Sequence, residues 1–141
     1  MDPLDLSGLP EDALLLLDSA PIIYFLEGHP KLAPRFEHLF EEHANGRVRF
    51  AVTTITIAEV LAGPLTSGHE SLARRYRSIL ESWRVVPLDV EIAETAARIR
   101  ASSRLKLADA VQVASALAVK ADALVTHDRD FSRVASPRVI S

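Results

Sequence analysis

The stretch LKLADAVQVASALAVKADALVTHDRDF, residues 105–131, carries the reading of the fold. Leu107 to Lys120 is alanine-rich and strongly helical. Ala123 to Thr126 reads as a short apolar strand. The polar turn His127-Asp128-Arg129-Asp130 follows at once. A helix that leads into an apolar strand, with a polar loop past its end, is the repeating step of a parallel α/β sheet.

The same step recurs on either side. Ala13 to Leu17 is a continuous apolar run that predicts a strand buried on both faces. Pro21 to Glu27 starts a helix with proline in its first turn, and Gly28, His29 and Pro30 break the chain. Ala33 to His43 is helical through Phe36, Leu39 and Phe40, and Asn45-Gly46 stops it. Val48 to Val52 reads as a second strand. A helix starts between Thr53 and Thr56 and is closed by Gly63-Pro64. Ser71 to Trp83 is amphipathic, with Leu72, Tyr76, Ile79, Leu80 and Trp83 on one side. Val85-Val86 is a short strand, Val90 to Ala101 a helix, and Val139-Ile140 a final edge strand. Strands alternating with helices imply an α/β layer fold with a mostly parallel sheet. No repeat, low-complexity tract or linker interrupts the sequence, so residues 1–141 are expected to form a single domain.

Composition narrows the function classes. The 141 residues contain no cysteine, which removes thiol nucleophiles, thiolate metal sites and disulfides. The apolar run before Asp18 is far short of the roughly 20 residues needed to span a bilayer. The acidic lead-in of Asp2, Asp5, Glu11 and Asp12 is unlike an export signal, which begins with positive charge. A cytoplasmic location is therefore expected. The net charge of −3 argues against nucleic-acid binding by a basic surface alone. Bound divalent cations would reverse that objection locally, because they bring positive charge to the place where a phosphate docks.

Four acids fall where the loops of a parallel sheet converge, beyond the carboxyl ends of the strands. Asp18 follows the first strand directly, and Asp128 follows the Ala123 to Thr126 strand. Glu59 lies in the first turn of the helix after the second strand, and Asp109 in the first turn of the alanine-rich helix. Four carboxylates in one cleft repel each other. Mg²⁺ or Mn²⁺ would relieve that repulsion, since hard cations take oxygen ligands, and the chemistry suited to such a site is phosphodiester hydrolysis. Each acid also has a purely structural explanation. Asp18 suits a helix N-cap. Glu59 completes the capping box Thr56-x-x-Glu59. Asp109 favours a helix N-terminus, and Asp128 a turn.

Taken together, LLLLDSAPIIYFLEG at 14–28, TTITIAEVLAG at 53–63 and residues 105–131 resemble the PIN-domain family, especially VapC-type toxins of bacterial and archaeal toxin–antitoxin pairs. The third stretch is the most specific, because Asp109 opens an alanine-rich helix that leads into a strand and a Thr-x-Asp-x-Asp-Phe turn. The resemblance implies a three-layer α/β/α sandwich with a parallel sheet, Mg²⁺ or Mn²⁺ dependence and RNA cleavage. Asp18, Glu59, Asp109 and Asp128 match the family's four motif acids, here expected to be both catalytic and metal-binding. Thr126 matches its hydroxyl residue and would order a ligand or water. Asp130 would substitute for Asp128 or support it. Many relatives carry Thr-Asn after the first Asp; here Ser19 keeps a hydroxyl, whereas Ala20 has no polar side chain. A cognate antitoxin that covers the cleft and a homodimer are also implied.

Other residues are weighed against plain structural roles. Arg104 and Lys106 stand just before Asp109 and are candidate RNA contacts. Arg74, Arg75 and Arg77 read as a solvated helix face. The five histidines lack metal-ligand spacing and are expected at surface or loop positions. Tyr24, Phe25, Phe36, Phe40 and Trp83 are expected in the core or an interface rather than as base-stacking platforms. Three functional readings follow: an endoribonuclease toxin, a housekeeping PIN nuclease that matures RNA, and a silent binding module that keeps the acids only for structure. A dinucleotide-binding enzyme is disfavoured by the missing Gly-x-Gly-x-x-Gly loop, and a serine hydrolase by the missing Gly-x-Ser-x-Gly elbow.

Overall fold

Every residue of β1 (Ala13–Leu17) is buried, and that places the strand in the middle of a sheet with both faces covered. The computed structural model describes residues 2–141, side chains included except at positions 132 and 133. β1 pairs in parallel with β2 (Val48–Thr53) on one side and β4 (Ala123–Val125) on the other. β3 (Arg84–Val86) adds beside β2 and β5 (Val139–Ile140) beside β4, both parallel. The order is β3-β2-β1-β4-β5. In register, Leu15 lies beside Phe50 and Ala123, and Leu16 beside Ala51 and Leu124.

Side chains alternate across a strand, so the two halves of β1 serve two cores. Leu15 and Leu17 pack with Ile22 of α1 (Ser19–Glu27), Phe36 and Leu39 of α2 (Ala33–Ala44), Val60 of α3 (Thr54–Thr66) and Leu80 of α4 (Glu70–Glu81). Leu14 and Leu16 pack on the opposite face with Ile92 and Ala96 of α5 (Val90–Ser102) and Ala110, Val113 and Ala114 of α6 (Leu107–Ala118). The result is the expected three-layer α/β/α arrangement. The alanines that make α6 a strong helix former are also small enough to bring it close to the sheet.

The aromatic residues do go to the core. Phe50 meets Phe40 and Trp83 edge-on at 5.4 and 5.1 Å, and Tyr24 lies 6.2 Å from Phe36. Phe25 is partly exposed, yet it stacks on Phe40 at 3.8 Å. Three histidines join these rings: His29, in a loop, meets Tyr24 edge-on at 5.4 Å, and His127 is in a loop as well, whereas His43 departs from expectation by packing inward from α2. His43 stacks on Phe50 at 4.0 Å, and burial lowers its pKa; His127 meets Tyr24 and Phe36 edge-on at 5.6 and 5.9 Å. The imidazoles of His43 and His127 are half-buried.

A second departure concerns α3, which does not stop at Gly63-Pro64 but runs on to Thr66. Pro64 removes its own N–H from the ladder, but the next bonds are intact. The Ser67 N–H donates to the Gly63 carbonyl at 3.2 Å, so a proline this near the end costs the helix little. The turn after β4 is also regular, as a 3-10 helix over Arg129–Arg133. Among the described residues no helix is long and apolar enough to cross a membrane.

Leu16 is fully buried on the central strand. Leu16→Ala is expected to lower unfolding free energy by about 2–5 kcal/mol. Urea titration followed by circular dichroism measures it as a fall in the midpoint.

Candidate metal centre

Parallel strands deliver the loops that follow them to one edge of the sheet. At that edge Asp18 leaves β1 and becomes the N-cap of α1, its Oδ1 accepting the Ser19 N–H at 2.9 Å. Its own N–H donates to the Val125 carbonyl at 2.8 Å, tying the end of β1 to the end of β4. The buried Thr126 comes next on β4's side. Its hydroxyl donates to Asp18 Oδ2 at 2.9 Å and accepts the Asp128 N–H at 3.0 Å. Asp128 caps the 3-10 turn, its Oδ1 accepting the Asp130 N–H at 2.9 Å. The cap and turn roles open to Asp18 and Asp128 on sequence grounds are both filled. They hold the same side chains at the sheet edge, so structural and functional readings do not compete there.

Asp109, in the first turn of α6, completes the gathering. One carboxylate oxygen from each of Asp109, Asp128 and Asp130 lies within 4.8 Å of the others. Burial, then the Asp128 and Asp18 charges, pushes the Asp109 pKa up to about 6; Asp130 adds to the rise and Lys106 opposes it. Asp109 Oδ2 is buried with no hydrogen-bond partner. Asp109 thus has an acceptor oxygen without a donor and stands beside two further acidic groups, a combination that a divalent cation fits.

Glu59 is near enough to feel the charge of Asp18. Burial first and Asp18 second raise its pKa, while a hydrogen bond with Ser19 pulls the other way. Glu59 and Asp18 lie outside the closest three-acid group, but Asp18 acts on both Glu59 and Asp109. The position of Glu59 differs from expectation. Thr53 is the N-cap of α3 and accepts the Thr56 N–H at 3.1 Å, so Glu59 falls in the second turn. The capping box Thr56-x-x-Glu59 therefore does not form. A helix begun one residue after Thr53 has no free N–H left at Glu59's reach for such a box to satisfy.

Gln112 escaped the sequence reading, and so did the polar network it forms with Thr53 and Thr56. Gln112 Nε2 donates to Asp18 Oδ1 at 3.0 Å and to Thr56 Oγ1 at 2.7 Å, and its Oε1 accepts from the Thr53 hydroxyl at 2.7 Å. All three are buried. The available signal was a glutamine flanked by valines in an alanine-rich helix, because a polar residue in a core position needs partners.

Arg104 and Lys106 are exposed. Arg104 lines a cavity of about 400 Å³ with Ile99, Leu105, Leu117, Asp130 and Val134, so it stands at the margin of the acid cluster. A larger cavity of about 730 Å³ lies at the opposite end of the sheet, among Leu4, Leu9, Asp12, Arg47 and Val48. It is remote from the acids, and size alone does not mark the chemistry.

The family model for the PIN domain matches residues 15–137. No curated protein matches the sequence. Among solved structures, a toxin–antitoxin complex from Klebsiella pneumoniae contains a chain that is 24% identical with a TM-score of 0.71, the match covering 90% of this chain and 96% of that one. VapBC2 from Rickettsia felis, bound to a DNA fragment from its promoter, matches at 18% identity and TM-score 0.70 over 89% and 96% of the two chains. Mycobacterium tuberculosis VapC20, a Sarcin-Ricin loop cleaving toxin, matches at 14% identity and TM-score 0.70 over 86% and 95%.

The raised pKa of Asp109 has a stability consequence in metal-free protein. The folded state keeps this proton up to about pH 6, whereas the unfolded chain releases it near 3.8. Between those values the native state binds more protons, so this group's contribution to stability falls as pH rises. Asp109→Asn is expected to remove that fall and to melt higher than wild type at pH 7 in chelator. Thermal melts across pH 4 to 7 check it, and parallel curves for the two proteins would contradict it.

Proposed function

Because the chain belongs to the PIN-domain family, we propose that it is a Mg²⁺- or Mn²⁺-dependent endoribonuclease and the toxin of a toxin–antitoxin pair. The observation that carries this reading is the meeting of Asp109, Asp128 and Asp130 within 4.8 Å, next to Asp18, at one edge of the sheet. The donor set is all carboxylate oxygen, which suits Mg²⁺ or Mn²⁺ and not a softer ion. Asp18, Glu59, Asp109 and Asp128 would hold the cation, with Asp130 supporting Asp128. When bound, such an ion supplies positive charge for the phosphate, an activated water and stabilisation of the leaving oxygen.

The rest of the work falls to this chain's own groups. Thr126 holds Asp18 and Asp128 through one hydroxyl, so the two acids keep a constant spacing. Ser19 contributes its N–H to Asp18 and a hydrogen bond to Glu59. Arg104 and Lys106 offer cations at the margin, where an RNA backbone would need them in a protein of net charge −3.

The toxin role rests on the fold neighbours, several of which are toxin–antitoxin complexes. A cognate antitoxin would cover the cleft and restrain activity in the cytoplasm. The homodimer implied by the resemblance would bury apolar side chains that now face solvent, among them Leu88 and Val90, the latter 81% exposed.

Asp18→Asn tests the site, since asparagine also caps helices well and the fold should survive. Mn²⁺-dependent cleavage of total RNA is expected to fall to background in the folded variant, and undiminished cleavage would refute the assignment. Induced expression tests the role: wild type is expected to arrest growth, a neighbouring antitoxin gene to relieve the arrest, and D18N to be harmless. A nuclease that cuts RNA without arresting growth would be a housekeeping enzyme instead.

A further inference from the structure

Gln112 is 1% exposed in the middle of α6, between apolar residues that pack on the sheet. Burying an amide without partners is unfavourable, so its surroundings must offset it. They do so in a directed way. The Thr53 hydroxyl accepts the Thr56 N–H and has one proton to give; Gln112 Oε1 at 2.7 Å is the nearer acceptor, with Thr56 Oγ1 at 3.3 Å. That fixes the amide's orientation, and Nε2 must face Thr56 Oγ1 and Asp18 Oδ1. The reversed amide would set two acceptors against each other 3.0 Å apart.

The consequence lies in the lone pairs of Asp18. A carboxylate has about four acceptor positions, two on each oxygen. Oδ1 takes the Ser19 N–H and Gln112 Nε2, which fills it. Oδ2 takes only the Thr126 hydroxyl, which leaves one position open. We infer that Gln112 is a positioning residue for Asp18: by filling Oδ1 together with the Ser19 N–H, it leaves Oδ2 as the oxygen that receives a divalent cation, and Thr53 holds Gln112 in turn. The inference rests on the ribonuclease reading above and extends it to residues beyond the motif acids.

Gln112→Met keeps length and volume and removes all three hydrogen bonds. Outer partners of metal ligands typically change affinity or activity by about 10- to 100-fold. Calorimetric Mn²⁺ titration of Q112M is therefore expected to show a dissociation constant weakened by about that factor. The Mn²⁺ concentration for half-maximal RNA cleavage should shift in step, with the rate recovering at saturating Mn²⁺. Ser115→Ala, also buried on α6 but with a hydroxyl that has no hydrogen-bond partner among the described residues, should bind Mn²⁺ as wild type does. Should Q112M fail to fold, Thr53→Val and Thr53→Ser decide the matter: the valine variant should weaken Mn²⁺ binding and the serine variant, which keeps the hydroxyl, should not.

Unchanged Mn²⁺ affinity in folded Q112M overturns the inference, as does equal affinity in the two Thr53 variants. An equal loss in S115A also overturns it, because the effect would then be a general disturbance of α6. Wild-type protein that neither binds Mn²⁺ nor cuts RNA is a different failure. It removes the ribonuclease reading, and this inference with it.

Discussion

Like charges are gathered at one edge of the sheet against their mutual repulsion, and the rest of the molecule is arranged to hold them there. The raised pKa values of Asp109 and Glu59 record the cost, since in each case burial and the charge of Asp18 act together. Such a gathering would fly apart on flexible loops. Here each acid is fixed by an element that cannot move without disturbing the core. Asp18 is tied to β1 and α1, Asp128 to β4 and the 3-10 turn, and Asp109 to the first turn of α6.

The parallel sheet is what makes this possible. Because β1 and β4 are adjacent and run the same way, the residues after them emerge side by side, and the Asp18 N–H reaches the Val125 carbonyl directly. Complete burial of both strands supplies the stiffness. A single hydroxyl, that of Thr126, then bridges the two emerging acids. The helix cap and the turn cap are built from the same carboxylates that cluster at the edge, so the turns that stabilise the fold also fix Asp18 and Asp128.

Beneath the acids lies a second polar layer inside an otherwise apolar core, formed by Thr53, Thr56 and Gln112. Its bonds join the start of α3 to the middle of α6, and Gln112 carries them on to the end of β1. Buried hydrogen bonds of this kind are costly when incomplete and rigidifying when complete. The layer therefore transmits the position of two helices to one carboxylate.

Local pattern was enough to place the strands, the helices and their alternation, because β1 and α6 have compositions that admit few other structures. It also made Asp18, Glu59, Asp109 and Asp128 candidates, since acids after apolar strands or near helix starts are conspicuous in one dimension. Tertiary structure alone decided how they meet. Asp130 joins Asp109 and Asp128 because a 3-10 turn curls it back, and Glu59 lies in a second turn because Thr53 takes the cap that Thr56 was expected to fill. Gln112 and its two threonines are far apart in sequence, and no local periodicity reports a hydrogen bond between side chains separated by 59 and 56 positions. Which groups share an edge follows from strand order, and strand order is a property of the whole chain packed against itself.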